Sequence, residues 1–226
     1  MPKPTRKTGR TAGRPKRDAQ THDGDTERRI LAAAHAVFVR RGTAGARMQE
    51  IADEAGVNPA LLHYYFRSKD GLARAVFQQA AAQLFPEVMR ILGSDASIEM
   101  RIEQVVHHYI DTLRKHPFLP GYVLGELSFQ PERIVAFAHS TTAPGQGPRE
   151  TLARLGHDLA ARAATGDLRP MTPEQFLVNV GSLCVFPFVA RPLLMPLTGM
   201  NGAAFDLFLE ARRAELPGFI IRALRP

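Results

Sequence analysis

Residues Gln49 to Lys69, QEIADEAGVNPALLHYYFRSK, constrain this chain more than any other stretch. Ile51, Ala52, Ala55, Val57, Leu62 and Tyr65 fall at the spacings that let two short helices pack at a steep angle. Gly56 stands where the first helix must stop, because glycine takes the positive φ of a helix end without a Cβ clash. Asn58 is a good N-cap, and Pro59 suits the first helical position, where its missing N–H would have no partner anyway. A helix that ends on glycine and restarts at once has the grammar of a helix-turn-helix, whose second helix enters the major groove of DNA. The rival reading is a helical hairpin in some other all-α protein.

The flanks supply what such a pair needs. A first helix is predicted from about Thr26 to Arg41, with Ile30, Ala34, Val37 and Phe38 on one face as backing and Gly42 as its stop. Ser68 caps a fourth helix, expected to reach about Phe85, with Leu72, Val76, Ala80 and Leu84 on one face.

The residues Ile51-Ala52, Ala55-Gly56-Val57, Leu62-His63-Tyr64-Tyr65-Phe66 and Ser68-Lys69-Asp70-Gly71-Leu72 carry a resemblance. The segment from Asp25 to Leu84 resembles the DNA-binding domain of the tetracycline-repressor (TetR) family of bacterial regulators. By position in that motif Gln49 faces the groove, where an amide pairs with base edges. Pro59, Ala60, Leu61 and His63 are the groove-facing residues of the recognition helix, the first three suited to thymine methyl groups. Tyr64 is expected to reach a phosphate oxygen through its hydroxyl, with Lys69 adding a cation at a helix N-terminus. The chain departs from the family pattern in having Ala46 and Arg47 where Thr or Ser is usual, so Arg47 replaces a hydroxyl as the phosphate contact. Leu61 and His63 also differ from the usual Thr or Ser and Tyr.

Charge adds a second partner surface. Lys3, Arg6, Lys7, Arg10, Arg14, Lys16 and Arg17 precede the first acid, Asp18, and the other 29 − 7 = 22 basic residues balance the 22 acidic ones, so the formal +7 lies in this arm. Residues 1–23 hold little to bury and read as a disordered basic arm. Gly13-Arg14-Pro15-Lys16-Arg17 resembles the core of an AT-hook, which makes Arg14, Lys16 and Arg17 minor-groove or phosphate candidates. Without an apolar segment behind it, the arm is not a secretory signal. One cysteine, Cys184, fits a reducing cytosol, and a cytoplasmic, nucleoid-associated protein is expected.

From Pro86 onward the pattern is helical. Ile98, Ile102, Val105, Tyr109 and Leu113 form one stripe behind Ser97, and Thr172-Pro173-Glu174-Gln175 is a capping box with proline at the first position. The apolar run from Phe176 to Ala190 is shorter than a membrane span and reads as a buried helix that Pro187 bends or ends. The division is therefore an arm (1–23), a three-helix DNA-binding domain (24–85) and a larger helical domain (86–226), all-α throughout. The family resemblance implies that this larger domain binds a small molecule and pairs late helices with a second copy in a homodimer. His107, Tyr122, Glu126 and Asn179 are its polar candidates for orienting a ligand.

Glu103 and His107 lie four apart beside His108 but lack a third ligand, so no metal is expected. No nucleophile elbow, phosphate loop or Cys–His pairing is present, so neither an enzyme nor a cofactor is expected. The reading is a sequence-specific, dimeric transcription regulator, a repressor of a palindromic operator released by a small, largely apolar ligand. The alternative is an AT-preferring nucleoid protein acting through the arm.

Overall fold

A computed structural model of the chain describes the backbone of residues 17–129, 131–141 and 147–226, and their side chains except at 17–23, 126–129 and 133. Among these residues all regular structure is helical. The head holds α1 (Arg17–Gly45), α2 (Met48–Ala55), α3 (Pro59–Phe66) and the start of α4 (Lys69–Leu92). The body holds the rest of α4, α5 (Ile98–Lys115), α6 (Leu119–Phe129), α7 (Pro131–Thr141), α8 (Pro148–Ala164), α9 (Pro173–Val189), α10 (Arg191–Thr198) and α11 (Gly202–Leu224).

The first helix is longer than its stripe predicts. It starts at Arg17, so the last residues of the expected disordered arm have helical backbone, and it resumes for a few residues after a break at Gly42 (φ 68°, ψ 168°). The break is where sequence places the stop, because only glycine takes that conformation cheaply. Ile30, Ala34, Val37 and Phe38 are all buried against α2 and α4.

The fourth helix corrects a boundary. It runs through Pro86 to Leu92 instead of ending near Phe85. Proline leaves the carbonyl four residues back without its N–H partner, but Ala82 is exposed and water can take that place. Beyond the proline Val88, Met89, Ile91 and Leu92 are buried. Burying each such side chain stabilises by about 1.5–3 kcal/mol, together more than the ~3 kcal/mol a helix-interior proline costs. Arg101, only 4% exposed, closes this end: it donates to the Leu92 carbonyl at 3.2 Å and the Ala96 carbonyl at 2.8 Å, and pairs with Asp158 at 2.7 Å.

Helix α5 is the centre of the body, packed by α4, α9 and α11. Its cap and stripe follow the sequence reading: Ser97 accepts from the Met100 N–H at 3.2 Å, and Ile98, Ile102, Val105, Tyr109 and Leu113 are buried. Two bidentate pairs tie it outward, Arg213 to Asp111 (2.9 and 3.1 Å) and Arg162 to Glu99 (2.9 and 3.3 Å).

Thr172 caps α9 through the Gln175 N–H at 3.3 Å. Pro187 does not end the helix, and only one side of it is buried. Phe176, Val180, Cys184 and Phe188 enter the core, whereas Val178, Ser182, Phe186 and Val189 form an outward stripe at i, i+4, i+8 and i+11. Helix α10, which the sequence reading did not separate, turns away after Ala190 and exposes Leu193 and Leu197. Among the described residues no single helix is long and apolar enough to cross a membrane; α9 and α10 reach that length only together, across a 64° bend.

One buried cluster runs from Ile30 in α1 to Leu224 in α11, passing through Val76, Phe77, Ala80, Ala81 and Leu84 of α4. Head and body therefore share a core.

Candidate nucleic-acid interface

The turn between α2 and α3 is built by backbone geometry that the local sequence demands. Gly56 takes φ 63°, ψ 40°, the Gly56 N–H donates to the Asp53 carbonyl at 3.1 Å, and the Val57 N–H to the Ala52 carbonyl at 3.0 Å. These are the two bonds of a Schellman cap. From α1 the Arg29 guanidinium donates to the Ala55 carbonyl at 2.7 Å and the Gly56 carbonyl at 3.3 Å, clamping the turn from behind. Arg29 was not singled out from sequence, and its partners lie 26 and 27 residues away.

Asn58 Oδ1 accepts from the Ala60 N–H at 2.8 Å and Pro59 opens α3. Leu62 is fully buried beneath the helix, with Tyr65 and Phe66 half-buried against the core. The opposite side faces out. Ala60 and His63 are exposed, Leu61 is 38% and Tyr64 74% exposed, and Pro59 is half-buried at the start. Four of the five candidates on or beside the groove face of α3 thus share one solvent-facing surface.

Helix α3 meets α4 in an unusual joint. Arg67 has φ 57°, ψ −40°, a positive φ that side chains rarely take. The Ser68 N–H donates to the Phe66 carbonyl at 2.6 Å, which makes Arg67 the centre of a three-residue γ-turn, a strained form. Ser68 Oγ accepts from the Gly71 N–H at 3.0 Å to cap α4. Arg67 is an exposed cation beside the recognition helix that sequence reading passed over.

Gln49 and Arg47 are exposed at the start of α2, on the same flank. Gln49 Nε2 donates to Asp53 Oδ1 at 2.8 Å, so its amide is held along its own helix. Arg47 is the N-cap residue and makes no side-chain cap, leaving the first N–H groups of α2 without a side-chain acceptor. Such groups attract anions. Lys69 is half-buried, and Nζ donates to the Ala44 carbonyl at 3.1 Å and the Ala46 carbonyl at 3.4 Å. An ammonium has three protons, so Lys69 both pins the α1–α2 loop and keeps one donor. Arg14 and Lys16 lie outside the described residues, and Arg17 opens α1 with its side chain outside them.

Residues 30–76 match the family model described as bacterial regulatory proteins, tetR family. By this match residues 30–76 carry a TetR-type DNA-binding domain. It is 34% identical over 102 residues to the HTH-type transcriptional activator FasR of Mycolicibacterium smegmatis, covering 45% of this chain and 47% of FasR. It is 31% identical over 103 residues to the HTH-type transcriptional regulator BetI of Rhizobium meliloti, covering 46% and 49%. The matches thus span about half the length of these curated relatives. A crystal structure of a TetR/AcrR-family transcriptional regulator from Thermobifida fusca shares the fold over 85% of this chain and 97% of its own, at TM-score 0.54 and 18% identity.

The head is joined to the body by a histidine pair. His35 Nε2 and His116 Nδ1 are 2.7 Å apart, and His116 Nε2 is 3.4 Å from Gln83 Oε1. A single proton lies between the two rings, so one imidazole donates and the other accepts. The Phe118 ring stands edge-on to both imidazoles. Burial lowers both pKa values. His35 falls despite a hydrogen bond with the Lys115 backbone, and His116 falls to about 4, helped by its neighbour His35.

The four ligand candidates of the body are not gathered in one place. Tyr122 lines a cavity of about 360 Å3 between α4, α6 and α7. Asn179 lines a separate groove of about 420 Å3 between α9 and α11. His107 is half-buried on α5 and lines neither, and the side chain of Glu126 on α6 is outside the described residues. Spacing along the sequence carries no information on how far apart the elements that hold these residues pack.

Proposed function

We propose that the protein is a transcription regulator that binds a palindromic operator as a homodimer, represses from it, and leaves it when a small, largely apolar ligand occupies the helical body. The observation that carries the reading is the outward face of α3, with Leu62 buried beneath and Tyr64 prominent above, on a TetR-family head. In this reading the head is residues 24–85 and the body 86–226. Ala60, Leu61 and His63, with Pro59 and Gln49, meet base edges, and Arg47, Tyr64 and Lys69 meet phosphates. Arg67 joins the phosphate set. The arm, with Arg14, Lys16 and Arg17, adds salt-sensitive affinity.

Dimerisation is supported by the apolar stripe of α9 and by Leu193, Leu197 and Leu207, all exposed in one copy. One short helix reads few base pairs, and a second copy one DNA turn away doubles the contacts. Ligand action is a two-state shift: the liganded state holds the heads at a spacing that no longer matches successive major grooves. The protein works in the cytoplasm, at the nucleoid.

Selection of bound sites from random DNA, followed by fluorescence anisotropy, tests the docking. Tyr64→Phe combined with Lys69→Ala should weaken operator binding at least about tenfold and flatten its salt dependence. Equal binding by this variant overturns the groove-docking reading. Because FasR is an activator by name, the sign of control needs its own measurement. Removing the gene should raise transcription from the operator-bearing promoter, and a fall makes the protein an activator.

A further inference from the structure

The cavity between α4, α6 and α7 has a chemistry of its own. Arg74, Phe77 and Gln78 line it from α4, Tyr122 from α6, and Ile134 and Phe137 from α7. Its volume of about 360 Å3 lies in the range of small-molecule sites. Phe77 and Tyr122 are stacked, centroids 4.6 Å apart and planes 18° from parallel, and Phe137 leans on Phe77 at 5.5 Å. One wall is therefore aromatic.

The described lining holds one cation, Arg74, and no carboxylate. Arg90, Arg101, Arg114, Arg162 and Arg213 each hold a carboxylate, but Arg74 pairs with none among the described residues. Its guanidinium fork matches the two oxygens of a carboxylate, while the aromatic wall matches a flat apolar ring. A neutral ligand of the same shape gains the wall and leaves the fork hydrated.

We propose that this cavity binds a small aromatic acid, its ring against the Phe77–Tyr122 pair and its carboxylate on Arg74. The proposal names the site and ligand class for the ligand-released regulator, and rests on that reading only for the effect on DNA. Arg74 lies five residues after Lys69 on one helix, about 7.5 Å along its axis. A ligand there is wedged between body helices α6 and α7 and the part of α4 that carries the head.

Equilibrium dialysis of the full chain against 2-naphthoate and 2-naphthamide, the same shape without the charge, tests it. The wild type should bind the naphthoate about five- to tenfold tighter, a modest ratio because Arg74 is exposed. Arg74→Gln should erase the difference and keep the naphthamide affinity, and Tyr122→Ala, checked for folding by circular dichroism, should weaken both probes. Equal affinities in the wild type, a preference that survives Arg74→Gln, or no binding of either probe at about 1 mM overturns the site. Operator anisotropy with saturating naphthoate separates the two readings. Weaker DNA binding supports both, whereas unchanged DNA binding beside an Arg74-dependent preference overturns ligand release and leaves the site standing.

Discussion

The carbonyl oxygen of Phe66 decides what can stand at position 71. A Cβ at Gly71 would sit 2.5 Å from it, closer than real Cβ atoms come. Gly71→Ala should therefore cost about 1–3 kcal/mol in urea denaturation and weaken DNA binding, because the γ-turn must move to make room. Arg67 separates stability from function. Arg67→Gly should stabilise the fold by about 1 kcal/mol by relieving the positive φ, yet lower operator affinity; a stability loss would show that the backbone there is unstrained. Gly56, Asn58, Pro59 and Ser68 were legible from sequence because each makes its bond within a few residues. The clamp of Arg29 and the grip of Lys69 on the Ala44 and Ala46 carbonyls were not, since they join residues more than twenty apart.

Elements were legible where one property decided them. The Schellman turn, the α5 stripe and the capping box of α9 follow from local grammar. The sequence pattern ends α4 near Phe85 because the proline is local, while the burial that overrides it, of Val88, Met89, Ile91 and Leu92, depends on α5 and α8. Pro86→Ala should raise stability by about 1–2 kcal/mol, part of the proline cost being offset by the freer unfolded chain. A loss would mean that the helix depends on a bend at that point. The apolar run of α9 predicts burial all round, whereas composition cannot say which side of a helix has a neighbour.

At the scale of the whole molecule the joint between head and body titrates. The unfolded chain protonates histidine near 6.5, whereas His116 is lowered to about 4 and His35 is lowered as well. Between those values the unfolded state binds more protons, so stability is full above about 6.5 and is lost as pH falls toward 4. Melting followed by circular dichroism should show a lower Tm at pH 5 than at pH 7.5, and a His35→Phe, His116→Leu variant should flatten that dependence. Phe186→Glu, on the outward stripe of α9, should yield monomers in sedimentation and weaken operator binding without unfolding the chain. The proposed dimer face and ligand site are the least legible parts, because each is a surface assembled from more than one helix. The two-residue link of Arg67 and Ser68 has a last consequence. With its backbone already hydrogen-bonded it offers no slack, so α3 and α4 turn like two arms of one bell-crank. In the proposed switch a tilt of the long arm is carried to the short one through this link, since the reading helix has no suspension of its own.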